Sequence, residues 1–395
     1  AVTGQKIYIS WGDHDMAENV VHLVLARLPD APKGSRGVSL FVVPKRLPDA
    51  DGNAGVANAL RPIGLEHKMG LHGSPTCVMS FEGATGWLVG PENGGMACMF
   101  TMMNNARLGV GTEGLGVAEA AYQKALGYAL ERRQGRTADG SDTIIGHADV
   151  RRMLLQMKSR IEVARAIILD CALSLDMARA AEGEAAERWA ARGAFLTPIA
   201  KAFGTDVGVE VADLGIQLHG GMGFVEETGA AQFLRDVRVT AIYEGTNGIQ
   251  AMDLVGRKLS DGGAVARDLT AEIRRTAQKA EASDDPTLAA LGREVAAAAA
   301  TMAGATDWML SAEGVNDRYA GSHDYLRAWA LVLGGGYLLK GALAAEGTER
   351  DRRAALAAYY VGRELPAAAA HAKAAEGGAA ALYRLGAREL ASWAS

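Results

Sequence analysis

The chain has 395 residues, enough for two or three domains and a sizeable buried core. Apolar residues make up 49% and charged residues 22%, as in an ordinary globular protein, and the net charge of −5 excludes the basic field that a nucleic-acid partner requires. Cys77, Cys98 and Cys171 stand far apart without a CxxC pair, which excludes a disulfide framework and a zinc ribbon and points to reduced thiols in a cytoplasmic compartment. No apolar run reaches the length of a transmembrane segment. No HExxH pattern occurs, and His67 and His72 read as loop residues, so no metal is expected. Ala1 stands where a start codon would place Met, and a strand pattern begins within five residues, so the chain is expected to be a piece of a longer protein.

Residues 1–92 read as β. Runs rich in β-branched and aromatic residues, at 5–10 (QKIYIS), 20–28 (VVHLVLARL), 37–43 (GVSLFVV) and 76–81 (TCVMSF), alternate with turn formers such as Trp11-Gly12-Asp13 and 49–53. Their number and spacing predict a small antiparallel sandwich or barrel.

The pattern changes near Asn93. Helical periodicity runs over 95–133, 147–181, 185–218 and a shorter stretch after Glu244 to about 255, with Gly220-Gly221 as a stop. Long helices with short connections predict an antiparallel bundle over 93–260. Residues 261–395 are Ala-rich, with helical patterns near 264–282, 286–312, 322–346 and 350–392, the last broken at Pro366 and Gly377-Gly378. Trp308, Tyr325, Trp329, Tyr337, Tyr359 and Tyr360 supply anchors for a packed helical domain. The fold class is therefore α+β, mostly α.

Four motifs compete for function. Residues 109–114 (GVGTEG) match GxGxxG, but MFTMMNNARL before them reads as helix, whereas a dinucleotide fingerprint follows a strand. Close helix packing explains these small residues better. Residues 217–224 (QLHGGMGF) allow close backbone approach and expose N–H groups suited to phosphate, although a helix-to-helix turn has the same look. In 242–250 (IYEGTNGIQ), Glu244 precedes Gly245, and Thr246 is placed to cap the next helix; alone, the segment reads as a surface turn. Arg132, Arg133 and Arg136, near Arg151 and Arg152, form a basic cluster that suits either solvent or a phosphate.

Taken together and in order, YALERRQG at 128–135, QLHGGMG, LRDVR at 234–238 and IYEGTNGIQ, behind a β block, resemble the acyl-CoA dehydrogenase family over nearly the whole chain. The segments KIYISWGDHDMAENVVHLVLARLPDAPKG and EHKMGLHGSPTCVMSFEGATGWLVG resemble the branch with an extra C-terminal helical domain, which includes 3-methylmercaptopropionyl-CoA dehydrogenase. The resemblance implies a partial antiparallel β-domain at 1–92, a flavin-binding helical bundle at 93–260 and that extra domain at 261–395. The family's N-terminal helical domain and the first part of its β-domain have no counterpart in this sequence.

The resemblance also implies FAD as cofactor. Tyr8 falls where an aromatic packs by the flavin ring and Ser10 where a hydroxyl bonds near N5. Arg132 and Gln134 fall at the pyrophosphate, Gln217, Gly220 and Gly221 at the adenine-dinucleotide half, and Thr246 at a further cofactor contact. Arg107, Tyr243 and Gly245 fall beside the substrate, and Glu244 falls on the catalytic base. The activity so implied is α,β-dehydrogenation of an acyl-CoA thioester to the trans-2-enoyl-CoA. 3-Methylmercaptopropionyl-CoA is the first substrate to consider. The alternatives are a short-, medium- or long-chain fatty acyl-CoA of β-oxidation, or a non-catalytic acyl-CoA-binding role. Electron-transfer flavoprotein is the implied acceptor, and a homodimer or tetramer the implied assembly.

Overall fold

The computed structural model describes residues 1–393; the last two residues of the 261–395 block lie outside the described residues. The chain forms two compact units, Ala1–Ala106 and Arg107–Ser395.

The first unit is built from β1 (Val2–Ser10), β2 (Val21–Arg27), β3 (Val38–Pro44), β4 (Arg46–Pro48), β5 (Ala54–Ala57), β6 (Leu60–Leu65), β7 (Thr76–Ala84) and β8 (Trp87–Val89). These make antiparallel sheets of order β1-β7-β6, β2-β3-β8 and β4-β5. Side chains alternate across a strand, so Cys77, Met79 and Phe81 of β7 face one way. They share an apolar core with Val24 of β2 and Val43 of β3, so the two larger sheets pack on one another as a small sandwich. The register of β1 on β7 slips between Lys6 and Ile9, and Tyr8 takes a positive φ of 58°. The resulting bulge re-aims the strand, and the Tyr8 side chain is exposed.

Helices α1 (Gly95–Glu131), α2 (Ala148–Ala180), α3 (Gly183–His219), α4 (Ala230–Val237) and α5 (Asn247–Gly256) follow, then α6 (Ala264–Glu281), α7 (Pro286–Ser311), α8 (Val315–Ala344), α9 (Gly347–Arg363), α10 (Ala367–Ala375) and α11 (Ala387–Ser392). Asp285 caps α7 by accepting from the Thr287 and Leu288 amides, with Pro286 in the first turn, where its missing N–H costs nothing. The break expected at Pro366 separates α9 from α10, and that at Gly377-Gly378 ends α10. Helix α8 starts at Val315 rather than near 322. Gly321 lies inside the helix and meets the Ala375 backbone so closely that a Cβ would sit 2.0 Å from the Ala375 carbonyl oxygen, which is why this position has no side chain. The short helix α4 was not anticipated in the sequence.

In the second unit, helices from both sides of residue 260 share one apolar core. Met157, Ile161, Ile199 and Phe203 of the bundle join Leu269, Val295, Trp329 and Tyr360 of the later helices in it. Ion pairs reinforce the join. Arg160 of α2 bonds Glu210 of α3 and Glu364 beyond α9, and Arg192 of α3 bonds Asp170 of α2 and Glu272 of α6.

The GxGxxG run lies inside α1, not after a strand. Gly111 and Gly114 meet Gly204 and its neighbours on α3. A Cβ on Gly204 would sit 2.7 Å from the Gly111 carbonyl oxygen, and one on Gly114 would sit 2.5 Å from the Gly204 carbonyl oxygen. Backbone meets backbone here, so close packing is what the glycines serve. Gly204→Val is expected to destabilise the fold by about 1–3 kcal/mol or more, as overpacking does. A lowered urea midpoint with unchanged m-value would register it, and an unchanged midpoint would contradict the contact.

Candidate active site

Residues 238–246 leave α4 through a short 3-10 turn and enter α5. Glu244 has a φ of 55°, a left-handed conformation that favours glycine, and Gly245 follows at 83°. A side chain held there costs about 1–2 kcal/mol, so neighbours must hold it in place. Gln250, fully buried on α5, donates long hydrogen bonds to the carbonyls of Glu244 (3.4 Å) and Gly245 (3.3 Å). Thr246 caps α5 through the Ile249 amide at 3.3 Å, as its sequence position predicts. Glu244 itself is half-buried. Tyr243 donates its hydroxyl to the Glu113 carboxylate of α1, and burial followed by that carboxylate pushes the phenol above its ordinary range.

Behind the turn lies a buried polar floor. Arg107 of α1 pairs with Asp253 of α5 at 3.1 Å, and both side chains are almost fully enclosed. Lys201 of α3 is also enclosed, and its Nζ donates to Asn247 Oδ1 at 2.9 Å. Burial pulls the Lys201 ammonium down to about 8; Asp206 opposes the shift, Arg107 adds to it and Glu244 opposes it. Lys201, Asn247, Gln250 and Asp253 complete this site, and the sequence reading had not singled them out. Only the run NGIQAMD after Glu244 and its glycines carried a signal for three of them.

A second cluster forms where α1 ends and α3 ends. Gly220 stops α3 with a φ of 61°. A cavity of about 430 Å³ there is lined by Tyr128, Arg132, Gln134, His219, Gly220 and Gly221, among others. Gln217, also exposed, lies on the last turn of α3. The His219 ring stacks on Tyr128 with centroids 4.5 Å apart. Its Nδ1 meets the Gly215 carbonyl at 2.6 Å, so Nδ1 carries the proton. The loop beyond α1 is pinned by the Ile144 amide on the Arg132 carbonyl (2.8 Å) and by His147 Nε2 on the Gln134 carbonyl (2.8 Å). Of the basic cluster, Arg151 and Arg152 are committed to Asp139 and Asp149. Among the described residues Arg132 meets the backbone carbonyl of Arg133 rather than a carboxylate, which leaves its charge uncompensated at the cavity. A larger cavity of about 740 Å³ between α3 and α6 is lined by Glu184, Glu187, Asp261 and Asp268 together with Arg188 and Arg192, both already ion-paired, so its balance is acidic, the wrong sign for a diphosphate.

The second unit thus holds two groups of predicted residues. Glu244, Gly245, Tyr243, Thr246 and Arg107 surround the turn, and Arg132, Gln134, Gly220 and Gly221 line the cavity. Tyr8 and Ser10 belong to the first unit, on and just after the β1 bulge, where Ser10 pairs with Thr76. Among the described residues no helix is long and apolar enough to cross a membrane.

The buried lysine gives a signed prediction. Below about pH 8 Lys201 is charged whether folded or unfolded, and its desolvation weighs fully against the fold; between about 8 and 10.5 the unfolded chain binds more protons, so stability rises with pH. The wild type is therefore expected to gain urea resistance relative to Lys201→Met across that window, and a pH-independent difference would contradict the assignment.

Known proteins give independent testimony. Residues 93–259 match the family model described as acyl-CoA dehydrogenase, C-terminal domain, and residues 269–386 match that described as acetyl-CoA dehydrogenase C-terminal like. A 3-methylmercaptopropionyl-CoA dehydrogenase of Ruegeria pomeroyi is 48% identical over 354 residues, covering 88% of this chain and 60% of the relative. A butyryl-CoA dehydrogenase of Syntrophomonas wolfei is 42% identical over 273 residues, covering 66% of this chain and 45% of that one. The chain thus spans 60% or less of the length of these relatives. The crystal structure of an acyl-CoA dehydrogenase complexed with FAD from Bacillus anthracis aligns with a TM-score of 0.75 over 99% of this chain and 65% of its own; at 20% identity it speaks for the fold alone. With a matching bundle, a matching third block and the same architecture, the chain belongs to the acyl-CoA dehydrogenase family.

Proposed function

We propose that the protein of which this chain is part oxidises an acyl-CoA thioester to its trans-2-enoyl-CoA, with FAD as the oxidant and Glu244 as the base. The observation that carries this reading is the Glu244 turn: a half-buried carboxylate on a left-handed backbone, set over buried Arg107 and Lys201. The α-C–H beside a thioester is a very weak acid. A base fixed at the right distance gains from proximity what its modest basicity lacks.

The residues present fit FAD. Arg132, with no carboxylate partner among the described residues, Gln134 and the glycine-lined cavity at Gly220 and Gly221 suit a diphosphate and its adenosine, with Gln217 on the last turn of α3. Tyr8 and Ser10 would serve the ring, and Thr246 a further contact. FAD supplies the acceptor for the β-hydride. Glu244 takes the α-proton onto its carboxylate as that C–H bond breaks, and its backbone N–H would polarise the thioester carbonyl. Tyr243, tied to Glu113, and Gly245 shape the approach, while Arg107 balances Asp253 beneath them.

The similarity to the Ruegeria pomeroyi protein makes 3-methylmercaptopropionyl-CoA the first substrate to try, followed by butyryl-CoA and longer straight chains. The same reading carries electron-transfer flavoprotein as acceptor, a homodimer or tetramer as assembly, and the cytoplasm as location, in keeping with free Cys77, Cys98 and Cys171.

The test is anaerobic flavin absorbance under titration with these thioesters. Bleaching by one of them is expected, and none by any would end the reading. Glu244→Gln should retain flavin and lose roughly 10²–10⁴-fold in reduction rate, the usual worth of one acid–base group. Arg132→Ala should weaken FAD binding about tenfold or more, as loss of a charged hydrogen bond does, read by flavin release on dilution; unchanged retention would remove Arg132 from the cofactor site.

A further inference from the structure

We propose that Asn247 is the positioning residue for Glu244, and that Arg327, from the C-terminal helices, acts on the Glu244 turn through Asp206 and Asn247. The proposal rests on the reading of Glu244 as the base.

Asn247 is the first residue of α5, directly after the left-handed pair and its cap. Its side chain is spoken for on every side. Oδ1 accepts from Lys201 Nζ at 2.9 Å, and Nδ2 donates to Asp206 Oδ1 at 2.7 Å and to the Ala202 carbonyl at 3.2 Å; Thr205 Oγ1 lies 3.0 Å from Nδ2. All of these partners sit on α3. A surface turn does not need such a grip; a turn held against its own conformational preference does.

The grip extends beyond α3. Arg327 of α8 donates to Asp206 Oδ2 at 3.3 Å and to Glu210 Oε1 at 2.8 Å, and its guanidinium lies over the Phe203 ring with 5.7 Å to the centroid. Asp206 thus accepts from Arg327 on one oxygen and from Asn247 on the other. Without Arg327 this partly buried carboxylate would lose its fixing charge and its orientation toward Asn247. Nothing in the reaction requires α8 near the base. Its arginine nevertheless ends two hydrogen bonds from the residue that opens α5. The C-terminal helices therefore do more than add to the core: they brace the segment that carries the base.

The test uses the flavin-loaded full chain with Asn247→Ala, Arg327→Met and the double variant. Amide exchange is followed over residues 242–250 and, separately, over α8, alongside kcat and KM. Both single variants should exchange on the order of tenfold faster over 242–250. Their kcat should fall on the order of 10–100-fold, as slight misplacement of a base does, with KM little moved. The double variant should be no worse than Asn247→Ala, because the two residues act in series. Asn247→Ala leaves the Arg327 ion pairs in place, so it reports on the turn even where Arg327→Met loosens the fold. Exchange that quickens in α8 but not at 242–250, or effects that multiply in the double variant, would overturn the proposal. If the unaltered protein is bleached by no acyl-CoA, the reading of Glu244 as base falls by that result alone, and the exchange measurement still decides whether Asn247 and Arg327 hold the turn.

Discussion

A glutamate backbone in the left-handed region relaxes unless something opposes it, and much of the second unit can be understood as that opposition. Gln250 holds the carbonyls of the turn from one side, Thr246 fixes the start of α5, and Asn247 ties it to α3. Helix α3 in turn is locked to α1 by glycines that let the two backbones touch. The strain at one residue is small in kilocalories. The geometry that maintains it spans several helices.

The floor beneath the turn is polar, which is costly in a helical core. A buried ion pair such as Arg107–Asp253 contributes little net stability compared with apolar residues of the same volume, while loss of one partner is severe. Such pairs fix orientation more than they add stability. Lys201 fits the same logic. Its charge is expensive where it sits, and the acceptor it meets, Asn247, belongs to the segment that needs to be fixed. Burial of polar groups, apolar packing and backbone contact all converge on the same few turns.

Much of this was legible in the residues. The β-to-α change near Asn93, the long helices, the breaks at Pro366 and Gly377-Gly378 and the Thr246 cap follow from periodicity and from local backbone chemistry, which act over a few residues. The helical residues before GVGTEG exclude a nucleotide loop, and the contact with α3 supplies the reason for its glycines. What stayed hidden depends on distant partners. The need for glycine at 321 shows only once Ala375 is placed against it. Lys201 lies in an apolar run, where nothing local distinguishes an enclosed ammonium from a solvated one. Arg327 looks like any helical surface arginine until Asp206 and Glu210 are brought to it. Helix α4 has only eight residues, about two turns, too few for a helical period to set it apart from the loops around it.

The core shared across residue 260 has a consequence for how this architecture can be rearranged. A domain joined to its neighbour by a linker can be moved, lost or grafted with little effect on either half. Here Trp329 packs edge-on against Phe195, and Tyr337 reaches Asp170, so the later helices complete the interior of the earlier ones. A bundle relieved of them would present to water an apolar face that it had never needed to make soluble. A relative without these helices would need either a different surface or another cover on the matching faces of α2 and α3, and a hybrid made by cutting near residue 260 would inherit the wrong surface on both sides of the seam.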